Sequence, residues 1–368
     1  MSDVMMVVGS LNRATPYFDG ARGVGLSVFA FDPATGVVEH VSDEPGIDNP
    51  TFLSVASGSG CVYANSEVPT WHEGTVTAFR FDPELRRLVY LNKQPTLGCT
   101  TSYINLDKAG RYLLVANYGG GAEGDGPDQA LVVLPILGDG GLGAPVSSVS
   151  HTGSGPDPAR QARSHPHCVV QTPDGRFAVM SDLGTDALVS FSVAPGGALG
   201  QVPAAVTAMP PGSGPRHLAY HPDRPLAFSI CELHSTISTL RYDASTGGFS
   251  VSHTVSTLPS GHGPNLCSEI VAHPNGRFVY GANRGHDSIS AFRVDVEGGR
   301  LEPIGTFPSG GRTPRHIALD PGGRHLVIAN QDSDNLSFMV VGETGALAPV
   351  GEEVSIGSPM CVGFLKLA

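Results

Sequence analysis

Residues 269–292 read EIVAHPNGRFVYGANRGHDSISAF. An apolar run is followed by a Pro-Asn-Gly-Arg turn, a second apolar run ending at Asn283, a polar loop with Asp287 and a third, alternating run. The same order recurs at 167–191 (HCVVQTPDGRFAVMSDLGTDALVSF) and 316–339 (HIALDPGGRHLVIANQDSDNLSFM). Looser copies stand at 103–120 (YINLDKAGRYLLVANYGG) and 52–67 (FLSVASGSGCVYANSE). The runs are β-branched and aromatic, the turns are rich in Gly, Pro, Asn and Asp, and no helical period appears, so each unit reads as consecutive antiparallel strands. Most units add a Gly-rich hairpin and a fourth short strand, as in VDVEGGRLEPIGTF at 294–307.

The residues closing the second run, Asn65, Asn117, Asp182, Cys231, Asn283 and Asn330, span 265 residues in five steps, about 53 per unit; seven units need about 371, and the chain has 368. Four-stranded units repeated at this period predict an all-β fold, a seven-bladed β-propeller in one domain covering residues 1–368. The remaining blade is split. Ser358–Leu365 supplies its inner strand and Met5–Ser10 its second, so pairing of the chain ends closes the ring and covers an open edge.

Composition agrees with a soluble globular chain: 40% hydrophobic, 15% charged, with 48 Gly and 30 Pro dispersed. No apolar run approaches the ~20 residues of a membrane span, and a net charge of −12 argues against a nucleic-acid partner. Lys93, Lys108 and Lys366 are the only lysines, so arginine carries nearly all the positive charge. The six cysteines (61, 99, 168, 231, 267, 361) show no metal or redox spacing and read as free thiols in strands. Without a secretory signal, a cytoplasmic location is expected.

Blade strands alternate in direction, so the start of the inner strand and the end of the second lie at one face, and the Pro-x-Gly-Arg turn at the other. Six residues before the turn proline, or its equivalent, stands one position per blade: Pro50, Ser102, His167, Arg216, Ser268, Arg315 and Met360. One residue past the second-strand marker stand Ser66, Tyr118, Leu183, Glu232, Arg284 and Gln331. His167, Arg216, Glu232 and Arg284 come from three consecutive blades and converge on one mouth. Arg111, Arg176, Arg277 and Arg324 sit in the turns and read as structural surface residues; His221 and His273, beside the turn prolines at the far face, read as turn residues. Arg315 fits loop bracing and ligand binding equally. Glu232 is more telling, since an acid facing a channel beside arginines needs a partner or a task. His165 and His167 flank Pro166, but no third ligand accompanies them, so no metal or organic cofactor is expected. Asn117-Tyr118-Gly-Gly-Gly lacks the ending of a phosphate loop, and no G-x-S-x-G elbow occurs.

The stretches HPHCVVQTPDGR with SDLGTD, GPRHLAYHP with CELHSTIS, SEIVAHPNGRFVYGANRGHDSISAF, TPRHIALDPGG with ANQDSDN, and ANYGG together resemble the seven-bladed propeller lactonase family. Its best-known activity is 6-phosphogluconolactonase, and a fungal carboxymuconate-lactonizing enzyme shares the fold. The resemblance implies an active-site set of His, Arg, Glu and Arg, which falls on His167, Arg216, Glu232 and Arg284. Four departures lie near the mouth: Cys231 where Asn commonly precedes the glutamate, Thr100–Tyr103 in place of a Pro-Cys/His segment, Glu67 one place along, and a longer loop at Gly121–Gln129.

The resemblance implies hydrolysis of a sugar lactone, with Glu232 or His167 as base toward water and the other as acid toward the leaving oxygen. Arg216 and Arg284 would clamp an anionic group and the oxyanion, and His165, Arg315, Gln331 and Tyr118 would bind substrate. Replacing Glu232 by Gln should then cut turnover with little change in folding. The partner expected is a small anionic or polyhydroxylated lactone, and the protein a monomer or weak homo-oligomer. Cycloisomerisation of a muconate-type acid uses the same groups, and a non-catalytic scaffold is the third reading.

Overall fold

A computed structural model describes residues 3–119 and 127–367; most of the Gly121–Gln129 loop singled out above lies outside the described residues. Seven antiparallel sheets form among the described residues. Their inner strands are Leu53–Ala56, Cys99–Leu106, Pro166–Gln171, Pro215–Tyr220, Leu266–Ala272, Pro314–Leu319 and Pro359–Lys366, numbered here as blades 1 to 7. Each inner strand contacts the next, and the seventh contacts the first, so the sheets close a ring around a central channel. In blade 7, Val4–Ser10 pairs with Pro359–Lys366 in the register Val4↔Lys366 to Gly9↔Cys361, as the chain ends predict.

Position in the blade explains the strand sequences. Second strands lie between neighbouring blades and are buried on both faces, as in Leu226–Cys231 and His325–Asn330. Their apolar side chains form clusters that bridge adjacent blades: Phe228 and Ile230 of blade 4 pack with Ile270 and Phe292 of blade 5. Each such side chain contributes roughly 1.5–3 kcal/mol on burial. Outer strands such as Gly248–Ser256 face solvent and are largely polar. The far-face turns need a left-handed residue, supplied by Gly175, Gly276 and Gly323 at φ of 74°, 71° and 70°.

The aspartate in the polar loop of each clear repeat has a positional role. Asp186, Asp287 and Asp334 are left-handed, at φ of 50°, 52° and 55°. Each reaches the chain entering the following blade: Asp186 Oδ1 accepts from Gly214 N at 2.8 Å, Asp287 Oδ1 from Thr313 N at 2.8 Å, and Asp334 Oδ1 from Ser358 N at 2.8 Å. The donors stand two residues before Arg216, Arg315 and Met360. The repeat itself thus fixes where the mouth residues begin.

Candidate active site

The inner strands of blades 2 to 6 each carry a register shift near their start, between Thr101/Tyr103, Pro166/Cys168, Pro215/His217, Cys267/Ile270 and Pro314/His316. A bulge inserts one unpaired residue and interrupts the alternation of side chains. Two consecutive residues therefore face the channel. A cavity at the mouth is lined by both Arg216 and His217, and by both Arg315 and His316, together with His167, Ser102, Thr51, Glu67, Phe52 and Met360. Its volume is about 10 Å³, about the space that one water molecule requires.

Glu232 follows the second strand of blade 4 and is held by three guanidiniums. Arg160 Nη2 lies 2.5 Å from Oε1; Arg216 Nε and Arg284 Nη2 lie 3.0 and 2.8 Å from Oε2. The side chains of Glu232, Arg216 and Arg284 are 5%, 4% and 11% exposed. Burial alone would push this carboxyl up; Arg284, Arg216 and Arg160 reverse that and hold it at about 2. Arg216 Nη1 also donates to Ser268 O at 2.6 Å and Arg284 Nη2 to Cys267 O at 2.7 Å, so the cluster is braced across blades 4 and 5.

His167 lines the mouth cavity together with Arg216. Burial first, then Arg216, His217 and Arg315, push its pKa well down, so the ring is neutral near pH 7. Its Nδ1 lies 3.3 Å from His217 Nε2, and His217 Nδ1 lies 2.8 Å from Glu269 Oε1. His316 Nε2 approaches Glu269 Oε2 at 3.2 Å. Beneath them Phe52 stacks on Tyr103 with centroids 4.0 Å apart, and both rings touch His217 edge-on. Phe52, Tyr103, Glu269 and His316 also border a cavity of about 510 Å³ that includes the turn prolines Pro274 and Pro321 of the opposite face. This layer separates the mouth from the far end of the channel.

Of the substrate-binding candidates, Tyr118 and His165 stack at 4.5 Å, Tyr118 meets His167 edge-on at 5.3 Å, and His165 Nδ1 lies 3.0 Å from Tyr118 O. Arg315 lines the mouth cavity, with its guanidinium 5.6 Å from the centroid of Tyr17. Gln331 is turned aside: it is buried, and its Nε2 donates to Asp332 Oδ1 at 2.9 Å. It does not line the mouth cavity.

Sequence reasoning missed His217, Glu269 and His316 because regular alternation would point them away from a face already occupied by Arg216, Ser268 and Arg315. It missed Arg160 because the irregular segment before blade 3 has no place in the repeat. Glu67 is buried, lines the mouth cavity and accepts Tyr17 Oη at 2.7 Å and Thr51 Oγ1 at 2.7 Å. No group of three His, Cys, Asp or Glu side chains able to hold a metal occurs among the described residues.

The chain is 32% identical over 343 residues to a 6-phosphogluconolactonase of Bacillus subtilis, covering 93% of this chain and 94% of that protein. It is 28% identical over 356 residues to a 6-phosphogluconolactonase of Formosa agariphila, covering 95% and 96%. The structure of a periplasmic gluconolactonase of Pseudomonas aeruginosa superposes with a TM-score of 0.87 at 30% identity, over 99% of each chain. The family model for lactonases of the 7-bladed β-propeller type matches residues 5–364. With that match spanning every blade, the chain belongs to the seven-bladed β-propeller lactonase family.

Proposed function

We propose that the protein hydrolyses a sugar lactone, 6-phosphogluconolactone or a related aldonolactone, to the open-chain acid with its own side chains as the acid and base. The observation that carries this reading is a neutral imidazole, His167, beside the Arg216 guanidinium in a water-sized cavity at the channel mouth. His167 takes a proton from water as the oxygen attacks the lactone carbonyl, help worth roughly 10²–10⁴-fold. Arg216 and Arg315 offer charge to the developing oxyanion and to an anionic substituent. The imidazolium then returns its proton to the departing ring oxygen, completing ring opening. Glu232, held at about 2, is ionised and weakly basic. Its task is to gather Arg160, Arg216 and Arg284.

The guanidiniums of Arg160, Arg216, Arg284 and Arg315 outnumber the carboxyl groups of Glu67, Glu232 and Glu269 around the mouth. That surplus suits a phosphorylated or carboxylated substrate within a chain of net charge −12. Six separate buried thiols support a reducing compartment such as the cytoplasm. The test is acid release on a pH-stat from purified protein given 6-phosphogluconolactone, unphosphorylated aldonolactones and carboxymuconolactone, with His167→Gln as control. Release above the spontaneous rate, abolished by the substitution, is the expected result. A folded protein that accelerates none of them, while closing a muconate-type acid, would be a cycloisomerase.

A further inference from the structure

We propose that Glu269 and His217 form a buried relay behind His167, fixing the tautomer of both rings and balancing the charge that His167 acquires on taking the water proton. The proposal rests on the reading of His167 as the base.

Glu269 Oε1 already accepts from its own strand, Ile270 N at 3.0 Å, so it is an acceptor, and His217 Nδ1, 2.8 Å away, must carry the hydrogen. His217 Nε2 is then a lone pair; Arg216 Nη1 stands over the ring, 3.2 Å from Nε2 and 3.5 Å from Nδ1. His167 Nδ1 faces that lone pair at 3.3 Å and must donate. The remaining nitrogen of His167, Nε2, is left unprotonated, which is the form a base needs. One carboxylate thus sets the protonation of a ring two side chains away.

The same chain balances the proton. When Nε2 of His167 takes a proton from water, its Nδ1 hydrogen can move to His217 Nε2 while the His217 Nδ1 hydrogen moves to Glu269. The products are two neutral rings and a neutral carboxyl, and reversal supplies the proton for the leaving oxygen. Burial pushes the Glu269 carboxyl up from its usual range, against His316 and Arg216, which narrows its gap to an imidazole. Glu269, His217 and His167 belong to blades 5, 4 and 3, so this chain of contacts crosses three blades just beneath the mouth. A simple brace between blades would need no ordered donors and acceptors aimed at His167.

Two measurements decide. The first is the tautomeric state of the histidines by ¹⁵N NMR of the wild-type protein, with the His167 and His217 signals assigned by their loss in His167→Gln and His217→Gln. Both rings are expected as the Nδ1–H form near pH 7. An Nε2–H form in either ring overturns the proposal whatever the protein's activity. The second is the kinetics of Glu269→Gln, checked for an unchanged melting temperature, with Glu269→Asp as the conservative partner. The Gln variant should lose about 10- to 10³-fold in kcat with KM unchanged. Its acid limb in kcat/KM should move to lower pH, because the charge favouring imidazolium is gone; Asp should restore part of both.

Of the other groups facing these rings, His316, lowered to about 4 by burial, also titrates on the acid side, so the limb is compared with and without Glu269→Gln in a His316→Gln background. Burial lowers Arg216 and lowers Arg284 to about 9, which still lies on the alkaline side. Tyr103 and Tyr118 are raised by burial, Cys168 is raised to about 12, Glu232 is held at about 2, and His316 and His165 are both lowered. A Gln variant with wild-type kcat and pH profile sinks the relay and leaves the lactonase reading standing. Loss of lactone hydrolysis in the wild type sinks that reading, while the tautomers still judge the relay.

Discussion

Glu232 Oε2 accepts from Arg216 Nε at 3.0 Å with both side chains about 95% buried, and two further guanidiniums close on the same carboxylate. Breaking such a pair leaves uncompensated buried cations, a cost of about 3 kcal/mol or more. Glu232→Gln is therefore expected to lose activity and also to melt about 4 °C lower, unlike the indifferent fold expected from the sequence alone. The pH dependence has a definite sign. A carboxyl held at about 2 stabilises the fold above the ordinary glutamate value and loses that contribution as pH falls toward about 2. Stability measured by denaturant between pH 5 and 2.5 should fall more steeply in wild type than in Glu232→Gln.

His167 gives a second pH signature. Its folded pKa lies below the unfolded value of 6.5 because burial and Arg216 disfavour the imidazolium. The unfolded chain then binds more protons below that value, so stability is full above pH ~6.5 and declines as pH falls. His167→Gln removes this dependence and should lower kcat by about 10²–10⁴-fold while leaving the melting temperature near wild type at pH 8. Circular dichroism melts at pH 5 and 8 together with pH-stat rates check both halves.

The repeat made the blade count, the closure of the ring and the positions of His167, Arg216, Glu232 and Arg284 legible, because each depends on counting along strands of one period. What the period could not carry was the second tier beneath them. His217 and His316 share a face with their neighbours Arg216 and Arg315 only because a bulge interrupts each inner strand. A bulge adds one residue without changing the composition, so the sequence shows no mark of it. Arg160 and Tyr17 reach the site from irregular segments whose path is set by tertiary hydrogen bonds, such as Gln161 Nε2 to Asp186 Oδ1 at 2.8 Å and Tyr17 Oη to Glu67. Gln331 kept its ring position, yet Asp332 beside it captured its amide.

Arg315 is the mouth arginine without a carboxylate on its guanidinium among the ion pairs described, and it rests instead against the Tyr17 ring. A charge-assisted contact from such a group contributes about 1.5–3 kcal/mol. Arg315→Met should therefore raise KM for a phosphorylated lactone by about 10- to 100-fold and leave an unphosphorylated one nearly unchanged. Equal loss on both substrates would place Arg315 on the oxyanion rather than on the anionic substituent. Steady-state kinetics on the matched pair of lactones makes the distinction.

Closure of the ring makes the last expectation. Gly9 lies opposite Cys361 where the terminal strands of blade 7 pair, and the register shifts immediately after it. A Cβ at this position would overlap Pro50 O and come within 2.6 Å of Cys361 Sγ. The first obstacle is backbone from the inner edge of blade 1, which cannot rotate away as a flexible side chain could. Relief therefore requires the two terminal strands to part from blade 1 or from each other, and both motions open the seam that joins the chain ends. Gly9→Ala is expected to cost about 1–3 kcal/mol, the range for overpacking in a close-fitted interior. The cost should appear as faster proteolysis at the termini and faster amide exchange in Val4–Ser10 and Pro359–Lys366. Blade 4, on the far side of the ring, should keep its protection until global unfolding. Uniform loss of protection in all blades would mean instead that the propeller opens as one cooperative unit.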